Sequence, residues 1–283
     1  MRNALNGLRF RRISGSLGAE VSGVDVSGEI DDGAIDAIRA GLLEHLVLVF
    51  RGQSLEPGSL AAFARRFGAL NRHPYVKPLD GHPDVFRIVK EPDDVHHFGN
   101  GWHSDLSYSE RPALATMLHA TELPPYGGDT LFADMRAAYR ALSGGMKRML
   151  DGLVGVFSNE RTYGPDAARF NQGVKRMEVA QQSTITRVEH PVVRTHPETG
   201  VKALYLSPLH TVGFKDMTAE ESQPLIDWLC RHATRPEFLC RVQWQPGSLA
   251  FWDNRATMHY AVDDFAGHRR VMTRVTLEGD RPG

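Results

Sequence analysis

The sequence predicts a mainly β protein with peripheral helices and a β-sandwich or jelly-roll core. Short apolar segments separated by glycine, proline and polar turns dominate residues 100–280, whereas most helical periodicity lies earlier in the chain. With 283 residues and 41% hydrophobic content, the chain is long enough to bury a sizeable core. All-β folds of this size often form one domain, so we expect a single domain over residues 1–283.

The first part of the chain predicts a mixture of strands and helices. The segment "LRFRRISGSLGAEVSGVDVSG" is typical of short strands broken by Gly and Ser turns. "DDGAIDAIRAGLLEHL" has apolar residues at helical spacing after an acidic start, which favours a helix N-terminus. "LVLVFRG" indicates a buried strand, and "EPGSLAAFARRFGAL" a second helix with Pro57 in its first turn.

The middle of the chain predicts strands around one interrupted helix. "NGWHSDLSY", residues 100–108, alternates like a strand, "ALATMLHATELPP" is a candidate strand pair, and "YGGDTLFADM" leads from a turn into a strand. "MRAAYRALSGGMKRMLDGL" is helical with an interruption near Gly144 and Gly145. Residues 158–188 lack clear periodicity, so we expect a long insertion or lid that covers a pocket and is mobile.

The C-terminal part predicts strands around one more helix. "HPVVRTHPETGVKALYLS" indicates a strand, a turn and a strand, and Thr218 with Glu221 resembles a capping box for the following helix. "FLCRVQW", "GSLAFWDN" and "RRVMTRVTLEG" indicate the last strands.

Composition limits the classes of partner. The formal net charge of −1 gives no indication of a nucleic-acid or membrane partner. Cys230 and Cys240 form no CxxC motif, and two free thiols fit a reducing cytoplasm better than a disulfide. The N-terminus has no apolar signal-peptide stretch, and no run approaches the ~18 apolar residues of a membrane span. We therefore expect a cytoplasmic protein.

The chemistry-bearing pattern begins with "WHSD". Residues two apart on a strand share a face, so His103 and Asp105 can reach one ion. HxD alone is a weak signal, equally consistent with a His–Asp pair on a surface strand. His259 in "WDNRATMHYAVDDF" follows an apolar strand and a polar turn, and is the best third ligand. Two imidazoles and one carboxylate would form the facial triad of non-haem Fe(II) oxygenases.

Two arginines follow the third candidate ligand. In "GHRRVMTRVTL" the side chains of Arg270 and Arg274 share one strand face among apolar neighbours. A solvated basic edge is the plain alternative. A buried arginine needs an anion, and its planar fork matches a carboxylate. The pattern therefore favours two anion-binding groups near the metal.

At these residues the chain resembles the taurine dioxygenase (TauD/TfdA) family of Fe(II)/2-oxoglutarate-dependent dioxygenases. The resemblance covers nearly the whole chain, with "LGAEVSGVD", "WHSDLSY", "ELPPYGGDTLFADM", "HPVVRTHPETGVKALYL", "WQPGSLAFWDNRATMHYAVDDF" and "RRVMTRVTLEGDRP" in family order. It implies a double-stranded β-helix (jelly-roll) core and an enzyme that needs Fe(II), 2-oxoglutarate and O₂. It further implies hydroxylation of a small anionic substrate, with succinate and CO₂ as by-products, and a homo-oligomer (dimer or tetramer).

The resemblance also implies roles for individual residues. His103, Asp105 and His259 match the iron ligands. Thr130 and Arg274 match the residues that bind 2-oxoglutarate, and Arg270 matches the arginine of the substrate's anionic head. Related halogenases replace the carboxylate, so the retained Asp105 favours oxygenation.

The substrate pocket is less well defined. By resemblance it contains His73, Asn100, Tyr163 and His210, the last two near positions where taurine dioxygenase has phenylalanine. A sulfonate such as taurine, an alkyl sulfate or an aryloxyalkanoate therefore all remain candidates. A metal-binding jelly-roll protein without oxygenase activity, such as an isomerase or hydrolase, is the alternative from another class. Thr130 and Arg274 argue against it, because a hydrolase has no need of a 2-oxoglutarate clamp.

Overall fold

The computed structural model describes residues 7–95, 99–164 and 184–283. Its largest sheet has eight strands in the order β1-β2-β3-β14-β6-β16-β4, with β5 also pairing with β16. The strands of this sheet are β1 Arg9–Arg12, β2 Ala19–Ser22, β3 Val47–Phe50, β4 Leu70–Asn71, β5 Phe86–Lys90, β6 Ala115–Glu122, β14 Leu249–Asp253 and β16 Arg270–Leu277.

Smaller sheets complete the β structure. A three-stranded sheet contains β13 Leu239–Val242, β7 Thr130–Asp134 and β15 Thr257–Ala261. A second contains β12 Thr211–Phe214, β8 Val154–Ser158 and β9 Arg187–Pro191, and a two-stranded sheet contains β10 Val193–Thr195 and β11 Lys202–Leu204. The predicted mainly β jelly-roll class is confirmed, and the sheets do not close into a barrel.

The helices lie between strands, and four of the six described helices begin after a residue whose side chain caps them. They are α1 Asp32–His45, α2 Pro57–Arg65, α3 Met135–Arg140, α4 Gly144–Leu150, α5 Glu160–Tyr163 and α6 Ala219–Ala233. Asp31 caps α1 by accepting from Ala34 N, and the predicted capping box of Thr218 and Glu221 is present at α6. Among the described helices, none combines the length and apolar composition that a membrane crossing requires.

The large sheet is buried on both faces, which explains its continuous apolar runs. On β3, Val47 and Val49 pack into the core between the sheets, whereas Leu48 and Phe50 pack toward α1 and α2. The β13-β7-β15 sheet contacts the large sheet through Phe132, whose ring centroid lies 5.4 Å from that of Trp252. The site described below lies between these two sheets.

Two local predictions were wrong. Residues 100–108 form no strand: His103 makes an isolated bridge, and the chain then turns through Leu106 at φ 53°. The candidate strand pair is one strand, β6. The predicted interruption of the helix near Gly144 and Gly145 is confirmed, because α3 ends at Arg140 and Ser143 caps the start of α4 through Met146 N. Of the predicted lid, residues 165–183 lie outside the described residues.

Candidate active site

A single β-bridge brings two of the predicted ligands together. His103 N donates to His259 O at 3.0 Å, and His259 N donates to His103 O at 2.8 Å. The two ring centroids are consequently 4.1 Å apart. The bridge attaches the irregular segment after Gly101 to the middle of β15. Pairing with β15, and not alternation along a strand, therefore brings His103 close to the other ligands.

Asp105, the remaining predicted ligand, is held by one group on β6 and by another in the turn between β14 and β15. Thr116 Oγ1 on β6 donates to Asp105 Oδ2 at 2.7 Å, and Asp105 N donates to Asn254 Oδ1 at 3.2 Å. The other oxygen, Oδ1, lies 3.7 Å from Nε2 of both His103 and His259. Ligand atoms of the three side chains all lie within 4.8 Å of one another, close enough for one ion.

The protonation of these buried groups suits a divalent cation. Burial lowers the pKa of His103 and lowers that of His259 well below its usual value, so both imidazoles are neutral. Burial by itself would raise the pKa of Asp105, but the adjacent Arg274 guanidinium holds it well below its usual value. Two neutral nitrogens and a carboxylate therefore face one point, the donor set of a non-haem iron site.

The tautomer of His103 is set by its neighbour. His103 Nδ1 lies 2.7 Å from Gly101 O, and a carbonyl can only accept, so Nδ1 carries the proton. The lone pair is then on Nε2, the atom that faces Asp105. A backbone carbonyl in this position is a common support for a metal-binding histidine.

A cavity of about 140 Å³ adjoins the triad and is lined by His103 and Asp105. Of the five residues predicted to bind the substrate, Arg270 does not line it and four do: His73, Asn100, Tyr163 and His210. Tyr108, Leu106, Leu209 and Arg161 also line it. Tyr163 ends α5, so the start of the predicted lid does border the cavity.

Two histidines give the cavity neutral polar groups. Burial lowers the pKa of His73 to about 3 and that of His210 to about 3, with additional repulsion from Arg274 at His73 and from His103 at His210. His73 Nδ1 accepts from the backbone N–H groups of Tyr75 and Val76, at 3.2 and 3.1 Å. Its proton is therefore on Nε2, which remains a donor.

The two arginines occupy positions opposite to those predicted. Arg274 lines the cavity, and its Nη2 contacts Asp105 Oδ1 at 2.7 Å. Arg270 does not line the cavity; its guanidinium carbon lies 5.8 Å from the ring centroid of Trp244, whose Nε1 donates to Thr130 Oγ1 at 3.1 Å. Arg270, and not Arg274, therefore lies on the side of Thr130, whereas Arg274 lies with the pocket residues. The direction in which β16 crosses the sheet decides this, since both arginines share its inner face.

Some residues of the site were not predicted from the sequence. Thr116 and Asn254 orient Asp105, and Asn254 Nδ2 also donates to Thr116 Oγ1 at 2.9 Å. Tyr108 is also part of the cavity wall. Asn254 directly follows the apolar strand that precedes His259, which is a usable signal, whereas Thr116 lies in an apolar run without any polar pattern.

Comparison with known proteins gives consistent similarities along the chain. Residues 9–276 match the family model described as "Taurine catabolism dioxygenase TauD, TfdA family". An alkylsulfatase of Acinetobacter baylyi is 37% identical, covering 99% of this chain and 88% of the relative. An alpha-ketoglutarate-dependent sulfate ester dioxygenase of Pseudomonas putida is 38% identical, covering 95% and 89%. The crystal structure of a taurine dioxygenase from Burkholderia xenovorans superposes with a TM-score of 0.81 at 36% identity, covering 97% of this chain and 92% of that one.

Proposed function

The chain belongs to the taurine catabolism dioxygenase (TauD, TfdA) family of Fe(II)/2-oxoglutarate-dependent dioxygenases, and from this premise we propose that it hydroxylates a small organic anion. The observation that carries this proposal is the position of Arg274, a buried cation in the cavity beside the three candidate metal ligands. A cation there selects a substrate with an anionic head and holds the rest of it near the metal.

We assign the metal to His103, Asp105 and His259. Their ligand atoms converge, their protonation suits Fe(II), and Thr116 orients the carboxylate. Fe(II) bound there, with 2-oxoglutarate and O₂, supplies the oxidation that converts a C–H bond to C–OH, and succinate and CO₂ are the by-products. The role of the protein is to hold both organic acids in place and to exclude water.

We assign 2-oxoglutarate to Arg270 and Thr130. Arg270 is 4% exposed, and its Nε and Nη2 have no hydrogen-bond partner among the described residues. A buried guanidinium in this state is well suited to a carboxylate, to which it can donate two parallel hydrogen bonds. The hydroxyl of Thr130, linked to Arg270 through Trp244, is placed to assist.

We assign the anionic head of the substrate to Arg274 with the Nε2–H of His73. Tyr108 and Tyr163 supply an aromatic wall of the cavity. Burial raises the pKa of both phenols, so this wall is uncharged and does not repel an anionic substrate. A sulfonate, a sulfate ester or a carboxylate would each satisfy this arrangement. Sulfate esters are the first to test, since two similar proteins are named as an alkylsulfatase and a sulfate ester dioxygenase.

The activity is tested in two steps. Anaerobic addition of Fe(II) and 2-oxoglutarate should give a weak visible charge-transfer band, which His103→Ala should abolish. His232→Ala on α6 is the control and should keep the band. A screen of alkyl sulfates, sulfonates and aryloxy acids for substrate-dependent succinate release then identifies the substrate. Absence of the band together with absence of 2-oxoglutarate binding would refute the proposed site.

We also propose that residues 1–283 act as one domain in a cytoplasmic homo-oligomer, a dimer or tetramer. Cys230 and Cys240 are both free thiols, which supports a reducing compartment. Sedimentation velocity on the purified chain measures the oligomeric state, and a monomer at micromolar concentration would contradict this proposal.

A further inference from the structure

A second buried cation lies beside Arg270. Lys90 on β5 is the direct cross-strand partner of Arg270 on β16. Such partners point to the same face of a sheet, and the two side chains are only 2% and 4% exposed. Both approach the ring of Phe265, with Lys90 Nζ 4.9 Å and the guanidinium carbon of Arg270 5.8 Å from its centroid.

This pair of cations has no anion of its own in the described part of the chain. Lys90 Nζ has no hydrogen-bond partner there, and neither have Nε and Nη2 of Arg270. The carboxylate of Asp129 attracts Arg270, but its Oδ2 accepts from Arg241 Nε at 2.6 Å. Burial of an unpaired charge is costly, so two adjacent ones indicate that an anion completes the group.

On the exposed side of the same part of the sheet, in contrast to Lys90 and Arg270, an arginine is paired with carboxylates. One residue before Arg270, Arg269 pairs with the carboxylate of Glu91, which directly follows β5, and with that of Glu122 at the end of β6. Opposite charges thus pair on the solvent-exposed side, where an ion pair contributes least to the stability of the fold. On the buried side, where like charges are destabilising, two cations face each other. The inner pair is therefore arranged for a ligand.

We propose that Lys90 is a second cationic ligand of the distal carboxylate of 2-oxoglutarate, shared with Arg270. This inference rests on the proposed role of Arg270. A carboxylate has enough lone pairs for a guanidinium and an ammonium group together. A 2-oxo acid without a distal carboxylate would leave both cations unpaired, so Lys90 contributes to the selection of a dicarboxylate cosubstrate.

The test is a binding measurement on the Fe(II)-loaded protein under anaerobic conditions. Calorimetry compares 2-oxoglutarate with 2-oxopentanoate, which has the same chain length and a methyl group in place of the distal carboxylate. Lys90→Met removes the charge while keeping an apolar stem of similar length. Lys215→Met, which removes an exposed lysine paired with Glu189, is the control for net charge.

Lys90→Met should weaken 2-oxoglutarate binding by about tenfold or more, the effect of one charge-assisted hydrogen bond. It should leave 2-oxopentanoate binding unchanged, and the unliganded variant should be no less stable to denaturant than the wild type, because an unpaired buried charge has been removed. Lys215→Met should change none of these quantities. Equal 2-oxoglutarate affinity in both variants would overturn the inference, as would a Lys90→Met variant that binds both acids more weakly and unfolds more easily.

Arg270→Met separates this inference from the proposed function. If Arg270→Met keeps full affinity for 2-oxoglutarate, the assigned cosubstrate site is wrong. If Arg270→Met loses affinity and Lys90→Met does not, only the role of Lys90 is wrong.

Discussion

Arg274 and Asp105 form a buried ion pair at the centre of the site. Arg274 Nη2 lies 2.7 Å from Asp105 Oδ1, the same oxygen that faces Nε2 of both triad histidines. The proposed substrate cation is thus in direct contact with a proposed metal ligand. Binding of an anion at Arg274 and binding of a metal at Asp105 should therefore influence each other.

The two arginines should have separable effects. Arg274→Met should raise the KM for an anionic substrate by about 10–100-fold, because a charge-assisted hydrogen bond is lost, and should leave 2-oxoglutarate affinity nearly unchanged. Arg270→Met should weaken 2-oxoglutarate instead. Steady-state kinetics and anaerobic calorimetry measure the two quantities. The reverse pattern would restore the assignment that the family resemblance first indicated.

The hydroxyl of Thr116 should matter for metal affinity. Thr116→Val keeps the shape of the side chain but removes the donor to Asp105 Oδ2, so the carboxylate loses its orientation. We expect metal affinity to fall by about 10–100-fold, as for other groups that support metal ligands. Thr121→Val on the same strand, which loses only a contact to Thr273, is the control. Titration with Mn(II) measures the dissociation constants, and equal values for the two variants would refute this role.

Gly128 should be required for cosubstrate binding. It adopts φ +69°, and a Cβ there would lie 3.3 Å from Cδ and Nε of Arg270. Gly128→Ala should therefore displace the guanidinium and weaken 2-oxoglutarate binding. Gly152→Ala is the matched control: its φ of +80° imposes a similar backbone strain, of about 1–2 kcal/mol, with no atom within 4 Å of the new Cβ. Calorimetry should find weakened binding only for Gly128→Ala; unaltered binding would contradict the assigned position of Arg270.

Acid stability should depend on Asp253, which is fully buried at the C-terminal end of β14. Its Oδ2 accepts from Arg255 Nη2 at 2.6 Å and lies 3.0 Å from His196 Nε2. Burial by itself would raise the pKa of Asp253, but hydrogen bonds from Arg255 and His196 lower it below the unfolded value of 3.8. This stabilisation is present above about pH 4 and is lost as the pH falls through the lower folded pKa.

Asp253→Asn should consequently destabilise the protein by about 1.5–3 kcal/mol at pH 7, since Arg255 loses its charge-assisted hydrogen bonds to the buried carboxylate and keeps only its ion pair with Glu198. The difference from the wild type should narrow below pH 4. Asp151→Asn, at an exposed pair with Lys202, should cost less than about 1 kcal/mol at any pH. Urea unfolding at pH 7 and in steps below pH 4 measures these differences, and a constant difference would contradict the linkage.

Local pattern determined much of the fold. Short apolar runs predicted β3, β14 and β16, helical spacing predicted α1 and α2, and the capping box at Thr218 predicted the start of α6. Each of these patterns involves only residues that are close together along the chain. They can therefore be recognised in the sequence without the tertiary structure. The prediction of a strand over residues 100–108 was wrong, because a short alternating segment can be held by a single β-bridge instead of a continuous strand ladder.

The sequence by itself determined which residues carry the chemistry: two histidines and one aspartate as candidate ligands, and two arginines on one face of β16. Tertiary structure decided which arginine lies beside Asp105, which lies beside Thr130, and that Lys90 faces the second. Strand alternation has a period of two and is the same in either direction, so it cannot tell one end of β16 from the other. Only the long-range pairing of β16 with β5 and β6 sets that direction.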